Sequence, residues 1–124
     1  MQKILIIEDE KNTNLSLKLL LEKQGYEVKV VTNGLDGIKT AQDYLPDLIL
    51  LDIVLPKMNG YLVCEAIKEN ISTKNIPVIF MSAKTQEEDI KKAHLVGGND
   101  YLIKPFSPEQ VNTIIKTYLK GESS

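Results

Sequence analysis

Four places in this chain set charged or hydroxyl side chains directly after short apolar runs. Glu8-Asp9-Glu10 follows Ile4 to Ile7, Asp52 follows Leu48 to Leu51, Ser82-Ala83 follows Val78 to Met81, and Lys104-Pro105 follows Tyr101 to Ile103. Asp, Ser, Lys and Pro are common in turns for backbone reasons alone, so none of these places carries a site by itself. Together they differ. A fold that aligns the runs brings Glu8, Asp9 and Asp52 to one rim, three carboxylates without a matching number of cations. Such a cluster repels itself and raises its own proton affinities unless counter-charge is supplied. The candidate donors are all oxygens, with neither His nor Cys among them, which suits a hard divalent cation: Mg2+ first, with Mn2+ as a substitute.

The elements that must position these residues are legible as patterns. A fifth apolar run, Val28 to Val31, completes a set that reads as buried strands. Between the runs lie segments with helical spacing: Leu17, Leu20 and Leu21 in the first, Val63, Cys64 and Ile67 in the third, Val111, Ile114, Ile115, Tyr118 and Leu119 in the last. The resulting β-α alternation, repeated five times, demands a mostly parallel sheet with helices on both faces. In such a sheet ligands bind beyond the carboxyl ends of the strands, where the strand order reverses. Local signals support the register. Thr85 with Glu88 forms a capping-box pattern, and Ser107-Pro108-Glu109-Gln110 offers an N-cap, a proline at the first helical position and a Gln at the third. Gly25 closes the first helix and Gly97-Gly98 the fourth. One domain is expected over residues 1–120, its last helix ending near Lys120, with Gly121 to Ser124 as a loose tail.

Composition narrows the function classes. At 124 residues the chain can bury roughly two thirds of its unfolded surface. With 15 basic and 17 acidic residues interleaved, it has no basic stripe to grip a phosphate backbone, so nucleic acid is not expected as a direct partner. The lone Cys64 lies in an apolar stretch and reads as a small buried hydrophobe. No apolar run has membrane-spanning length, and the apolar start is too brief for a signal-peptide core, so a cytoplasmic location without membrane contact is expected. A dinucleotide or flavin binder would want a phosphate-cradling loop after the first strand, but Glu8-Asp9-Glu10-Lys11 stands there. A phosphohydrolase would need a substrate pocket or cap for which this length leaves little room.

The acidic pair after the first run, the segment from Leu51-Asp52-Ile53 through Pro56-Lys57-Met58-Asn59-Gly60, the Ser82-Ala83 pair and the stretch from Gly97 to Phe106 with Lys104-Pro105 together resemble the receiver domain of two-component response regulators. The resemblance spans essentially the whole chain. It implies a flavodoxin-like (βα)5 fold with strand order 2-1-3-4-5, which sets the ends of the first and third strands side by side. It further implies Asp52 as the nucleophile that becomes an aspartyl-phosphate. Asp9 is implied as a direct metal ligand, Glu8 as acting through water, Asp52 and the backbone carbonyl of Val54 as completing the set. Glu8 stands where many relatives have Asp, a longer arm with the same charge. Lys104 and Ser82 are implied to contact the phosphoryl group, Ser82 and Tyr101 to switch together, and Pro105 to occupy a position that is cis in the family.

The same resemblance implies a signalling phosphoacceptor rather than a turnover enzyme. It takes its phosphoryl group from a histidine kinase or a histidine phosphotransfer protein, and re-forms the surface of the fourth helix, fifth strand and fifth helix for a downstream protein or a separate output domain. Val54 and Lys84 are implied to tune hydrolysis of the acyl phosphate. A pseudo-receiver that keeps the fold without phosphorylation is the alternative, and both a monomer and a phosphorylation-dependent dimer are compatible with the chain. His94, without a matched ligand nearby, is expected on a helix surface; Leu15 and Leu19 are expected in core or docking roles.

Overall fold

The structure of the protein is a computed structural model, described over residues 1–119. In chain order it comprises β1 (Lys3–Ile7), α1 (Lys11–Lys23), β2 (Glu27–Val31), α2 (Gly34–Tyr44), β3 (Leu48–Asp52), α3 (Gly60–Glu69), β4 (Val78–Ser82), α4 (Glu87–Leu95), β5 (Asp100–Ile103) and α5 (Pro108–Tyr118). The strands form one sheet in the order β2-β1-β3-β4-β5, every adjacent pair parallel. Parallel neighbours need crossover connections, and the helices α1 to α4 lie in them. The central strands β3 and β4 are buried throughout because helices cover both faces, which explains their unbroken apolar runs. The edge strand β2 instead turns Glu27 and Lys29 to solvent.

Strand alternation divides the core in two. Leu5, Ile7, Ile49, Leu51 and Phe80 pack with Ala41 of α2, Val63 and Ile67 of α3 and Ala93 of α4. Ile4, Ile6, Leu48, Leu50, Ile79 and Met81 point the other way, against Leu17 and Leu21 of α1 and Val111 and Ile115 of α5. Full burial of each such side chain stabilises the fold by about 1.5–3 kcal/mol, so the sheet is the rigid frame on which the loops at its carboxyl edge are hung.

Helix ends follow local chemistry in most places. At Gly25 (φ 97°) the N–H of Tyr26 donates to the Leu21 carbonyl and that of Gly25 to Glu22, a paired closure that needs a left-handed residue. Gly97 (φ 101°) ends α4 in the same way, with Gly98 N–H on Ala93. Ser107 and Gln110 form the reciprocal capping box, with Pro108 opening α5. The capping box expected at Thr85 does not form. Helix α4 begins at Glu87 after an N-cap Gln86 whose side chain caps nothing. The cause lies upstream: the backbone of Lys84 is held from both sides, by the Ser82 hydroxyl and the Tyr101 hydroxyl, which keeps the chain out of helical geometry past Thr85. The acidic first turn of Glu87, Glu88 and Asp89 then complements the helix dipole. Helix α5 ends at Tyr118, short of the end expected near Lys120, and the tail expected at Gly121 to Ser124 lies outside the described residues. Among the described residues, no helix is long and apolar enough to cross a membrane.

Candidate functional site

Because β1 lies between β2 and β3, with Ile7 paired to both Val31 and Leu51, the residues just past Ile7 emerge beside the end of β3. Glu8 is fully buried there, Asp52 is nearly so, and Asp9 points outward into solvent. One carboxylate oxygen from each of the three lies within 4.8 Å of the others. Lys104, one residue beyond β5, reaches back across the rim. Its ammonium donates to Glu8 Oε1 at 2.6 Å and to Asp52 Oδ2 at 3.1 Å. The remaining oxygens are also held: Glu10 N–H donates to Glu8 Oε2 at 3.0 Å, and Val54 N–H to Asp52 Oδ1 at 3.1 Å.

One ammonium among three carboxylates leaves the site negative, and the proton affinities register it. Burial pushes the Glu8 carboxyl up to about 7; Lys104 and the Glu10 N–H pull it down, and neighbouring Asp52 adds to the rise. Burial works to lower the Lys104 ammonium, but its bonds to Glu8 and Asp52 outweigh that and raise it. An oxygen-only donor set with surplus negative charge, open to solvent on the Asp9 side, fits a hard dication.

The loop after β3 holds the Asp52 end of the site rigidly. Lys57 adopts φ 70°, Met58 N–H folds back onto the Pro56 carbonyl at 2.8 Å, and Gly60 N–H donates to Ile53 at 2.7 Å. A side chain at Gly60 would collide with the Asp52 carbonyl oxygen, so α3 can start this close to β3 only with glycine.

On the opposite flank, Ser82 ends β4 and is buried; its Oγ accepts from Lys84 N–H at 3.1 Å. Tyr101 on β5 donates its hydroxyl to the Lys84 carbonyl at 2.9 Å, and its ring lies 6.5 Å from that of Phe80. Burial raises the Tyr101 phenol. Lys104 N–H donates to the Ser82 carbonyl at 2.8 Å, and the Lys104–Pro105 bond is cis. Val54 and Lys84 are exposed beside the cluster. His94 is exposed on α4, and Cys64 is buried, its thiol pushed up to about 11 mainly by desolvation.

One residue escaped the sequence analysis. Asn14 is buried on α1 and donates its Nδ2 to the Glu8 carbonyl at 2.7 Å. A signal was available: a polar residue in line with Leu17 and Leu21 interrupts the buried stripe of that helix.

A family model of the response regulator receiver domain matches residues 4–116. The chain belongs to that family. Among similar proteins, the alkaline phosphatase synthesis transcriptional regulatory protein PhoP of Bacillus subtilis is 36% identical over 96% of this chain and 49% of its own length. Protein PilH of Pseudomonas aeruginosa is 36% identical over 98% of this chain and 100% of its own. This receiver thus spans about half of the first relative and the whole of the second. Among solved structures, the receiver domain of the sensor histidine kinase PA1611 from Pseudomonas aeruginosa, described with a magnesium ion coordinated in its active-site cleft, superposes with TM-score 0.90 at 28% identity, covering 97% of this chain and 98% of that one. The strand order and the flavodoxin-like architecture expected for a receiver are those observed.

Proposed function

We propose that this receiver is the phosphoacceptor of a two-component phosphorelay, taking a phosphoryl group from a histidine kinase or histidine phosphotransfer protein onto Asp52. The observation that carries this reading is the gathering of one carboxylate oxygen each from Glu8, Asp9 and Asp52 within 4.8 Å, with Lys104 bridging Glu8 and Asp52. A carboxylate oxygen of Asp52 forms the new O–P bond as the N–P bond of the phosphohistidine breaks and the imidazole leaves. Val54 N–H and the Lys104 ammonium orient the two Asp52 oxygens before transfer. Asp9, Asp52, Glu8 and the Val54 carbonyl are the groups that would hold Mg2+, or Mn2+ in its place, Glu8 from one water away. Bound there, the cation supplies positive charge that offsets the carboxylates and the phosphoryl oxygens.

After transfer, Lys104 and Ser82 pair with phosphoryl oxygens, the lysine leaving part of its present carboxylate pairing to do so. Ser82 and Tyr101 both hold the backbone of Lys84, one at its N–H and one at its carbonyl. Drawing Ser82 toward the phosphoryl group releases one of those grips, and Tyr101 turns inward as the other lets go. The α4–β5–α5 surface changes with it and is read by a downstream protein or a separate output domain. The chain acts as a cytoplasmic signalling phosphoacceptor that catalyses only its own phosphorylation and slow dephosphorylation.

Incubation with Mg2+ and acetyl phosphate, read by intact mass, tests this. Wild type gains one phosphoryl group, while Asp52→Asn gains none. An unlabelled wild type would leave the pseudo-receiver reading in its place, and a labelled Asp52→Asn would move the acceptor elsewhere.

A further inference from the structure

We infer that Asn14 is a positioning residue for the acidic cluster: by gripping the Glu8 carbonyl from inside α1, it fixes the turn from which Glu8 and Asp9 present their carboxylates. The inference rests on the reading of that cluster as a cation-assisted phosphoacceptor. Sheet pairing ends at Ile7, and Glu8 is the first residue beyond it. The Glu8 N–H still reaches the Val31 carbonyl at 3.1 Å, but its own carbonyl is taken by Asn14 Nδ2 at 2.7 Å, six residues on. That bond closes a turn that is knit inside as well. Glu10 N–H donates to Glu8 Oε2 at 3.0 Å, Asn14 N–H to the Glu10 carbonyl at 3.1 Å, and the Thr13 hydroxyl to the Glu10 carboxylate.

The orientation of the Asn14 amide is settled by its partner, because a carbonyl can only accept. Its Oδ1 therefore faces the other way, buried, and no described residue donates to it. A buried acceptor without a donor weakens a fold. An apolar side chain of similar shape would remove that buried acceptor but leave the Glu8 carbonyl without its Asn14 donor. What it could not do is hold Glu8, whose backbone placement decides where one buried carboxylate of the cluster points. Supports of this kind, one bond removed from the ligands, orient first-contact groups in metal sites generally.

The test uses the full chain with Asn14→Leu, and Asn14→Ala as a second variant that cannot overpack. Both variants are expected to remain folded, at a urea midpoint at or somewhat below that of wild type, since the Glu8 carbonyl loses its donor. In metal-free protein, amide hydrogen exchange at Glu10 should quicken about tenfold in both variants, since the turn is no longer tied. Mg2+ affinity, followed by amide shifts, should weaken by about tenfold. A folded variant that binds Mg2+ as tightly as wild type would overturn the inference, as would weakened binding with Glu10 exchange unchanged. Should wild type itself bind no Mg2+, the phosphoacceptor reading fails, and the exchange data still judge separately whether Asn14 holds the turn.

Discussion

Two lysines withdrawn from water at opposite edges of the sheet show what a partner's charge decides. Lys68, near the end of α3, donates to the Ile76 carbonyl at 2.7 Å, to Asn99 Oδ1 at 3.2 Å and to the Lys74 carbonyl at 3.3 Å. All three acceptors are neutral, and burial lowers its ammonium. The same Asn99 oxygen also accepts from Val78 N–H at 2.9 Å, so Lys68 ties α3 to the starts of β4 and β5. Lys104 has two carboxylates instead, and they raise its proton affinity despite burial. Lys68 is a staple with fixed partners. Lys104 is shared between two carboxylates, so its pairing depends on their charge.

The largest expected effect breaks the Lys104 side of this contrast. In metal-free protein at pH 8, Lys104→Met leaves the buried Glu8 and Asp52 carboxylates facing each other, with a loss of about 3–5 kcal/mol in urea denaturation. That loss should shrink as pH falls and Glu8 takes up a proton; an equal loss at pH 5 and pH 8 would show that the pairing is not what matters.

Next comes the wild type's own pH profile. Glu8 ionises near 4.5 when unfolded and near 7 when folded, so between those values the native state binds more protons. The contribution of Glu8 to stability is therefore fully present below about 4.5, falls as pH rises, and is lost above about 7, a total on the order of 3 kcal/mol in metal-free protein. Glu8→Gln should flatten that slope, and urea midpoints from pH 4 to pH 8 would reveal it.

The smallest effect is at the other edge. Lys68→Met should cost about 1 kcal/mol, because its lost bonds go to neutral acceptors that water can partly reach. The cost should not vary between pH 5 and pH 8. A pH-dependent cost would erase the distinction between the two lysines.

Much of the fold was legible because its signals are local or periodic. The apolar runs at Ile4, Val28, Leu48, Val78 and Tyr101 each lie within a residue of an observed strand start, and Ser107 with Gln110 caps α5 as the motif demands. Thr85 and Glu88 carry a similar motif without forming it, since Lys84 is claimed by residues from two strands. The side chains of the candidate site could be named from strand ends. Their bonds could not be: the Lys104–Glu8 bridge joins residues 96 apart, and the Asn14 bond depends on how closely α1 lies against β1.

The glycine at position 60 has a mechanical consequence. With the first residue of α3 pressed against the peptide that carries Asp52, the backbone beneath that carboxylate has no room to recoil. On the phosphoacceptor reading proposed above, charge added there would be absorbed sideways, by the hydroxyl of Ser82 and the ammonium of Lys104 at the ends of β4 and β5, and the response would run toward that half of the sheet.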